Sequence, residues 1–241
     1  MTEADWLTAT DPAPLLASVR DEASERKLRL FACGCCRLHW DRLTDGRSRS
    51  VVEGVERFVD GKASEAELQL LRGLAQRASE ELQRHARRCL EETRGKKRHF
   101  VTTAYEVAGA AEAAAMTAWE SPYIYPFPWE TDCGGGPYDV AAIGGHRFGY
   151  ERVLREGGGV FRCIFGNPFR PVPTLDPAWL TSTVVSLAKG MYDSRDFTAM
   201  PILADALQDA GCDSADVLDH CRGPGPHVRG CWVVDLVLGK E

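Results

Sequence analysis

The chain has 241 residues, 44% of them hydrophobic, and carries 29 basic against 35 acidic side chains for a formal charge of −6. The apolar share is enough to bury a core, and the acidic balance disfavours nucleic acid as a generic partner, since backbone binding needs a concentrated positive face. The opening M-T-E-A-D-W-L lacks the basic and apolar regions of a secretory leader, and no run approaches the roughly 18 apolar residues that span a bilayer, so the expectation is a soluble, cytoplasmic protein with no membrane partner.

In chain order, residues 24–43 place Leu28, Phe31, Cys35 and Leu38 on one helical stripe behind Ser24 as N-cap. A second helix is predicted over 48–59, with Val51, Val52, Val55, Phe58 and Val59 as its apolar face, ended by Asp60 and Gly61. Ser64 and Glu67 form a capping-box pattern ahead of Leu68, Leu71, Ala75, Ala78, Leu82 and Cys89, which keep a three-four spacing. The basic run R-G-K-K-R-H at 94–99 then reads as a solvated hairpin tip, followed by an alanine-rich helix over 100–119 that folds back on its predecessor. Residues 120–149 change character: prolines, C-G-G-G-P and four interleaved aromatics exclude a regular helix and predict a long loop.

Beyond the loop, a short helix is expected near 147–155 and a glycine break at 157–159. The run V-F-R-C-I-F-G-N-P-F-R-P reads as a short strand and turn. Pro177 behind Asp176 starts a helix continuing through Trp179, Val184, Leu187 and Tyr192. Another runs from about Pro201 to Ala210, stopped by Gly211. Asp213 or Ser214 caps a brief turn to His220, a G-P-G-P loop follows, and C-W-V-V-D-L-V-L-G closes as a short helix. The pattern predicts a mainly α protein, an irregular helical bundle with a long aromatic Pro/Gly-rich loop. It is read as one domain over 1–241, the only candidate boundary lying near 120–160.

At C-G-C-C-R, G-N-P-F-R-P, M-P-I-L-A-D-A-L-Q-D-A-G-C and H-C-R-G-P-G-P-H-V-R-G-C-W-V-V-D the sequence resembles an uncharacterised bacterial family met chiefly in planctomycetes. The resemblance covers most of the chain and is strongest over roughly the last eighty residues. It implies a bacterial origin and carries no activity, cofactor or catalytic residue with it.

Nine cysteines are many for a chain of this length, and their odd number argues against a complete disulfide framework; reduced thiols acting as small core hydrophobes are the ordinary alternative to ligands. Their clustering points to a metal centre. Cys33, Cys36 and His39 recur at intervals of three on the first long helix, and the C-terminal loop offers His220, Cys221, His227 and Cys231. Thiolate and imidazole suit tetrahedral zinc, so ligands from each segment would staple the two ends of the chain, although the spacing matches no standard zinc finger. The same loop is a candidate anion site: Arg222 and Arg229 bracket it, with Arg162 and Arg170 as additions, against the plainer role of pinning the loop to carboxylates.

Asp205 and Asp209, one helical turn apart, and Asp213 beyond them are candidate ligands of a divalent ion or general bases near His220, against the ordinary reading as a solvated face. A triad of Cys221 or Cys231 with His227 and Asp235 can be written, but no nucleophile motif surrounds it. Glu81 with His85, and Glu106 with Glu112, fall short of the Glu-x-x-His pattern of di-iron bundles. Neither a P-loop, a G-x-G-x-x-G motif nor H-E-x-x-H occurs. The functional expectation is therefore a non-catalytic module that binds a protein or small-molecule ligand, with zinc as its candidate stabiliser. The enzyme alternative is a metal-dependent hydrolase of a phosphoester or amide using Asp205, Asp209, His220 and His227.

Overall fold

The computed structural model describes residues 1–10, 12–19, 23–38, 40–41, 43–92, 157–171 and 173–240. The chain forms two compact units, one of Met1–Lys27 with Leu154–Glu241 and one of Leu28–Val153. The described residues are mainly helical, as the apolar periodicity predicts. The basic turn, the alanine-rich helix, the aromatic loop and the short helix expected over 94–155 lie outside the described residues, as does His39.

The first unit opens with α1 (Glu3–Thr8). Thr2 and Asp5 cap it reciprocally, each accepting a hydrogen bond from the other's backbone N–H at 3.2 and 2.9 Å. Helix α2 (Pro12–Val19) follows, and α3 (Glu25–Leu38) begins in this unit, where the Ser24 hydroxyl accepts from the Lys27 amide as expected. After the second unit the chain returns as α6, over 157–165. This helix replaces the expected glycine break and strand. Its glycines serve close packing: a Cβ on Gly158 would lie 2.7 Å from the Ala9 carbonyl oxygen, and one on Gly159 would lie 2.6 Å from Cδ of Pro226. Each glycine costs a helix roughly 1 kcal/mol relative to alanine, offset here by the approach of two chain segments that no side chain would permit. Trp6 is fully buried edge-on to Phe161, with ring centroids 5.7 Å apart, and its indole N–H donates to the Gly166 carbonyl at 3.1 Å. Burying a side chain of this size contributes about 2–3 kcal/mol.

The helix expected from Pro177 to Tyr192 is two elements. Asp176 caps a single 3₁₀ turn, Pro177–Trp179, and the chain breaks at Leu180. Thr181 then starts α7 (Ser182–Ser194), its hydroxyl accepting from the Val184 amide. Helices α8 (Met200–Asp209), α9 (Ala215–Arg222) and α10 (Trp232–Leu238) complete the unit, with α8 against both α7 and α9 and α10 against α7. Gly211, with φ of +94°, ends α8 where the sequence places its stop. Arg26 ties the chain's beginning to its end: its guanidinium grips the buried Asp235 at 2.6 and 3.2 Å and donates to the Tyr192 hydroxyl at 3.1 Å.

In the second unit, α4 (Gly46–Phe58) and α5 (Glu65–Glu92) pack together. Val51, Val52 and Val55 meet Leu68 and Ala75 in an apolar core that also holds Cys33, Cys36 and Leu43. Asp45 caps α4 through the Arg47 amide at 2.8 Å, and the Arg47 side chain reaches Glu81 on α5 at 2.6 Å. Glu81 is thereby engaged in an ion pair. Arg37 holds the buried Glu56 with two hydrogen bonds, at 2.9 and 2.8 Å. Among the described residues no helix is long and apolar enough to cross a membrane.

Candidate metal centre

Four side chains of the first unit converge. Cys163 comes from α6, His220 from the last turn of α9, His227 from the loop after α9, and Cys231 from the residue that starts α10. Their ligand atoms all lie within 4.8 Å of one another. Nε2 of His220 is 3.2 Å from Sγ of Cys231, and Nδ1 of His227 is 3.8 Å from Sγ of Cys163. A tetrahedral zinc ion with Zn–S and Zn–N bonds of ordinary length sets its ligand atoms about 3.4–3.8 Å apart, so small side-chain shifts would close the set around one ion.

The loop geometry follows from its composition. Prolines 224 and 226 remove amide donors and restrict the backbone, so the loop does not continue α9. Gly225 takes φ of +77°, and a Cβ there would stand 3.0 Å from the His227 amide nitrogen. Pro226 seats against Gly159, which brings His227 over α6 and hence over Cys163. The two imidazoles meet edge-on with centroids 4.9 Å apart, and the Trp232 ring lies 5.3 Å from that of His220.

Cys163 and Cys231 are 2% and 0% exposed. Burial opposes ionisation of both, yet they move in opposite directions. Hydrogen bonds to Cys231 from the Cys163 thiol, His220 and His227, with electrostatic attraction from His220, bring it well below the ordinary thiol range. Cys163 is pushed well above that range by burial and by the neighbouring Cys231 sulfur. A divalent cation held by both sulfurs would take the place of their protons. Nδ1 is the His227 nitrogen that faces Cys163, while Nε2, on the Gly225 side of the ring, is buried with no hydrogen-bond partner among the described residues. Two thiols and two imidazoles are metal-binding donors, and this set could hold a metal ion.

Three of the donors, His220, His227 and Cys231, are among the ligands expected from the sequence. Cys163 is the addition. It stands 64 residues from His227 along the chain, in a run that reads locally as a strand, so no spacing rule points to it. Cys221 is fully buried beside the group without belonging to it, and burial pushes its thiol up. Cys33 and Cys36 lie in the apolar core of the second unit, where burial drives Cys33 well above the ordinary thiol range and Cys36 up to about 12. Such thiols stay protonated and pack as small hydrophobes.

The arginines read as an anion site have protein partners. Arg222 donates to Asp205 at 3.0 Å and to Gln208 at 2.7 Å, Arg170 bridges Glu3 and Asp216, and Arg229 lies buried with its guanidinium 4.3 Å from the Tyr192 ring centroid. Asp205 and Asp209 are exposed on α8, and the donor group that includes His220 and His227 contains neither. Asp235, the third member of the triad that can be written, is held by Arg26.

The chain matches no protein-family model, no curated protein and no solved structure.

Proposed function

We propose that this protein is a non-catalytic binding module whose first unit is stabilised by one zinc ion held by Cys163, His220, His227 and Cys231. The observation that carries the reading is the approach of two sulfurs and two imidazole nitrogens from two separate stretches of chain, Cys163 and residues 220–231, to within 4.8 Å. Four protein ligands fill a tetrahedral zinc, which is the signature of a structural site, whereas catalytic zinc keeps a position for water or substrate. The ion neutralises two buried thiolates and fixes the loop that links α9 to α10. The rest of the first unit then serves as the surface on which a protein or small molecule is held.

The test is elemental analysis of protein purified without a histidine tag, paired with thermal melting before and after chelation. About one zinc per chain is expected, with a melting temperature that falls on chelation and recovers on adding zinc. Protein that contains no zinc and melts identically with and without the chelator would rule the reading out.

A further inference from the structure

The first unit contains a cleft of about 960 Å³. Sites for small organic ligands run from about 300 to 1,000 Å³ and combine apolar walls with a few charged groups. Here Phe165, Trp232 and Pro226 supply apolar wall, and the lining carries the cations Lys27, Arg162, Arg170 and Lys240 with the carboxylates Asp216, Asp219 and Asp235; the first two cations matter most.

Neither cation is neutralised by a carboxylate among the described residues. Lys27 lies half-buried in the first turn of α3, with its ammonium 6.0 Å from the Phe165 ring centroid. Asp235 exerts a favourable field on it, but that carboxylate is already gripped by Arg26 at 2.6 and 3.2 Å. Arg162 is half-buried, and its Nη1 donates to the main-chain carbonyls of Trp6 and Ala9 at 3.1 and 2.7 Å. Those carbonyls fix the guanidinium in place and leave its charge standing. Arg170, also on the cleft, is the contrasting case, spent on Glu3 and Asp216. Asp219 is an exposed anion of the lining. Desolvating a cation without a counter-charge is unfavourable, and a bound anion recovers that cost.

We propose that this cleft binds a small organic anion, a carboxylate or phosphate carried on an apolar body, with Lys27 and Arg162 taking the charge and Phe165, Pro226 and Trp232 the body. The proposal rests on the reading of the chain as a binding module and gives that module a ligand class. Cys163, His220 and His227 line the cleft as well, so an occupied metal centre would form part of its wall.

The test titrates the full, zinc-loaded chain with 2-naphthoate, phenyl phosphate and uncharged 2-naphthamide, following tryptophan fluorescence and confirming by calorimetry. At least one anion should bind roughly tenfold or more tightly than the amide, the value of one good charge-assisted contact, and the two anionic probes separate carboxylate from phosphate. Lys27→Met should abolish that preference while zinc content and circular dichroism stay as in the parent. Equal binding of amide and anions, binding of none of the three, or an unchanged preference in a folded Lys27→Met variant would each overturn the proposal. If Lys27→Met does not fold, the comparison of charged and uncharged probes on the parent chain decides alone. A chain with one zinc that binds no anion loses the ligand class and keeps the metal centre, so the two failures are distinct.

Discussion

Cys221 and Cys231 lie on either side of one loop, are both fully buried, and differ in what surrounds their sulfurs. The Cys231 sulfur faces an imidazole nitrogen at 3.2 Å, whereas Cys221 is outside the donor group and stays protonated. If the proposed zinc is bound, Cys231→Ser should therefore remove most of it and lower the melting temperature sharply. Cys221→Ala should retain the metal and lose only about 1 kcal/mol from the small cavity it leaves. Zinc content and chemical denaturation on both variants separate the roles; loss of zinc in the Cys221 variant would count against the assignment. Cys221 follows His220 on α9, and a helix turns successive side chains to different faces, so the donor group takes the imidazole and leaves the neighbouring thiol out.

At the scale of elements, the candidate metal centre depends on how closely α6 approaches the loop after α9. That approach is set by Gly159, whose missing side chain leaves room for Pro226. Gly159→Ala adds one carbon that would sit 2.6 Å from Cδ of Pro226, so the loop must shift and His227 must move with it away from Cys163. On an isolated helix the same change is favourable by up to about 1 kcal/mol. Here it should destabilise the fold and weaken zinc affinity at least tenfold, read by competition with a chromogenic chelator. Unchanged affinity would mean the loop is positioned without that contact. The capping pattern at Ser64 is met by half: the hydroxyl accepts from the Glu67 amide at 3.2 Å as the sequence predicts, while the Glu67 carboxylate takes Arg57 of α4 as its partner.

For the molecule as a whole, pH tests the electrostatics of the two units. The Asp45 carboxyl is held below its ordinary range by hydrogen bonds from the Arg47 side chain and then from the Arg47 backbone, which outweigh burial. Glu81 is lowered by its own hydrogen bond from Arg47. A depressed carboxyl contributes stability that is present above its unfolded value, near 4, and is lost as pH falls through the folded one. Asp235, raised by burial, works in the reverse sense: its contribution is complete below the unfolded value and is lost as pH rises through the folded one. Zinc-stripped protein should therefore hold its melting temperature from neutrality to about pH 5 and lose it below about pH 4, less steeply once Asp45 is Asn. An acid limb unchanged by Asp45→Asn would remove this account. The sequence by itself determined the helices whose signals are local, such as α4, α5, α8 and α10, because apolar periodicity, Ser64 as a cap and Gly211 as a stop act within a few residues. It also determined three of the four donors, because His220, His227 and Cys231 crowd one short stretch. Only the tertiary structure decided that residues 157–165 are helical and that Cys163 completes the set. Glycines that locally oppose a helix are outweighed there by the packing of distant segments, and a ligand geometry fixed in space leaves no periodic mark along the chain.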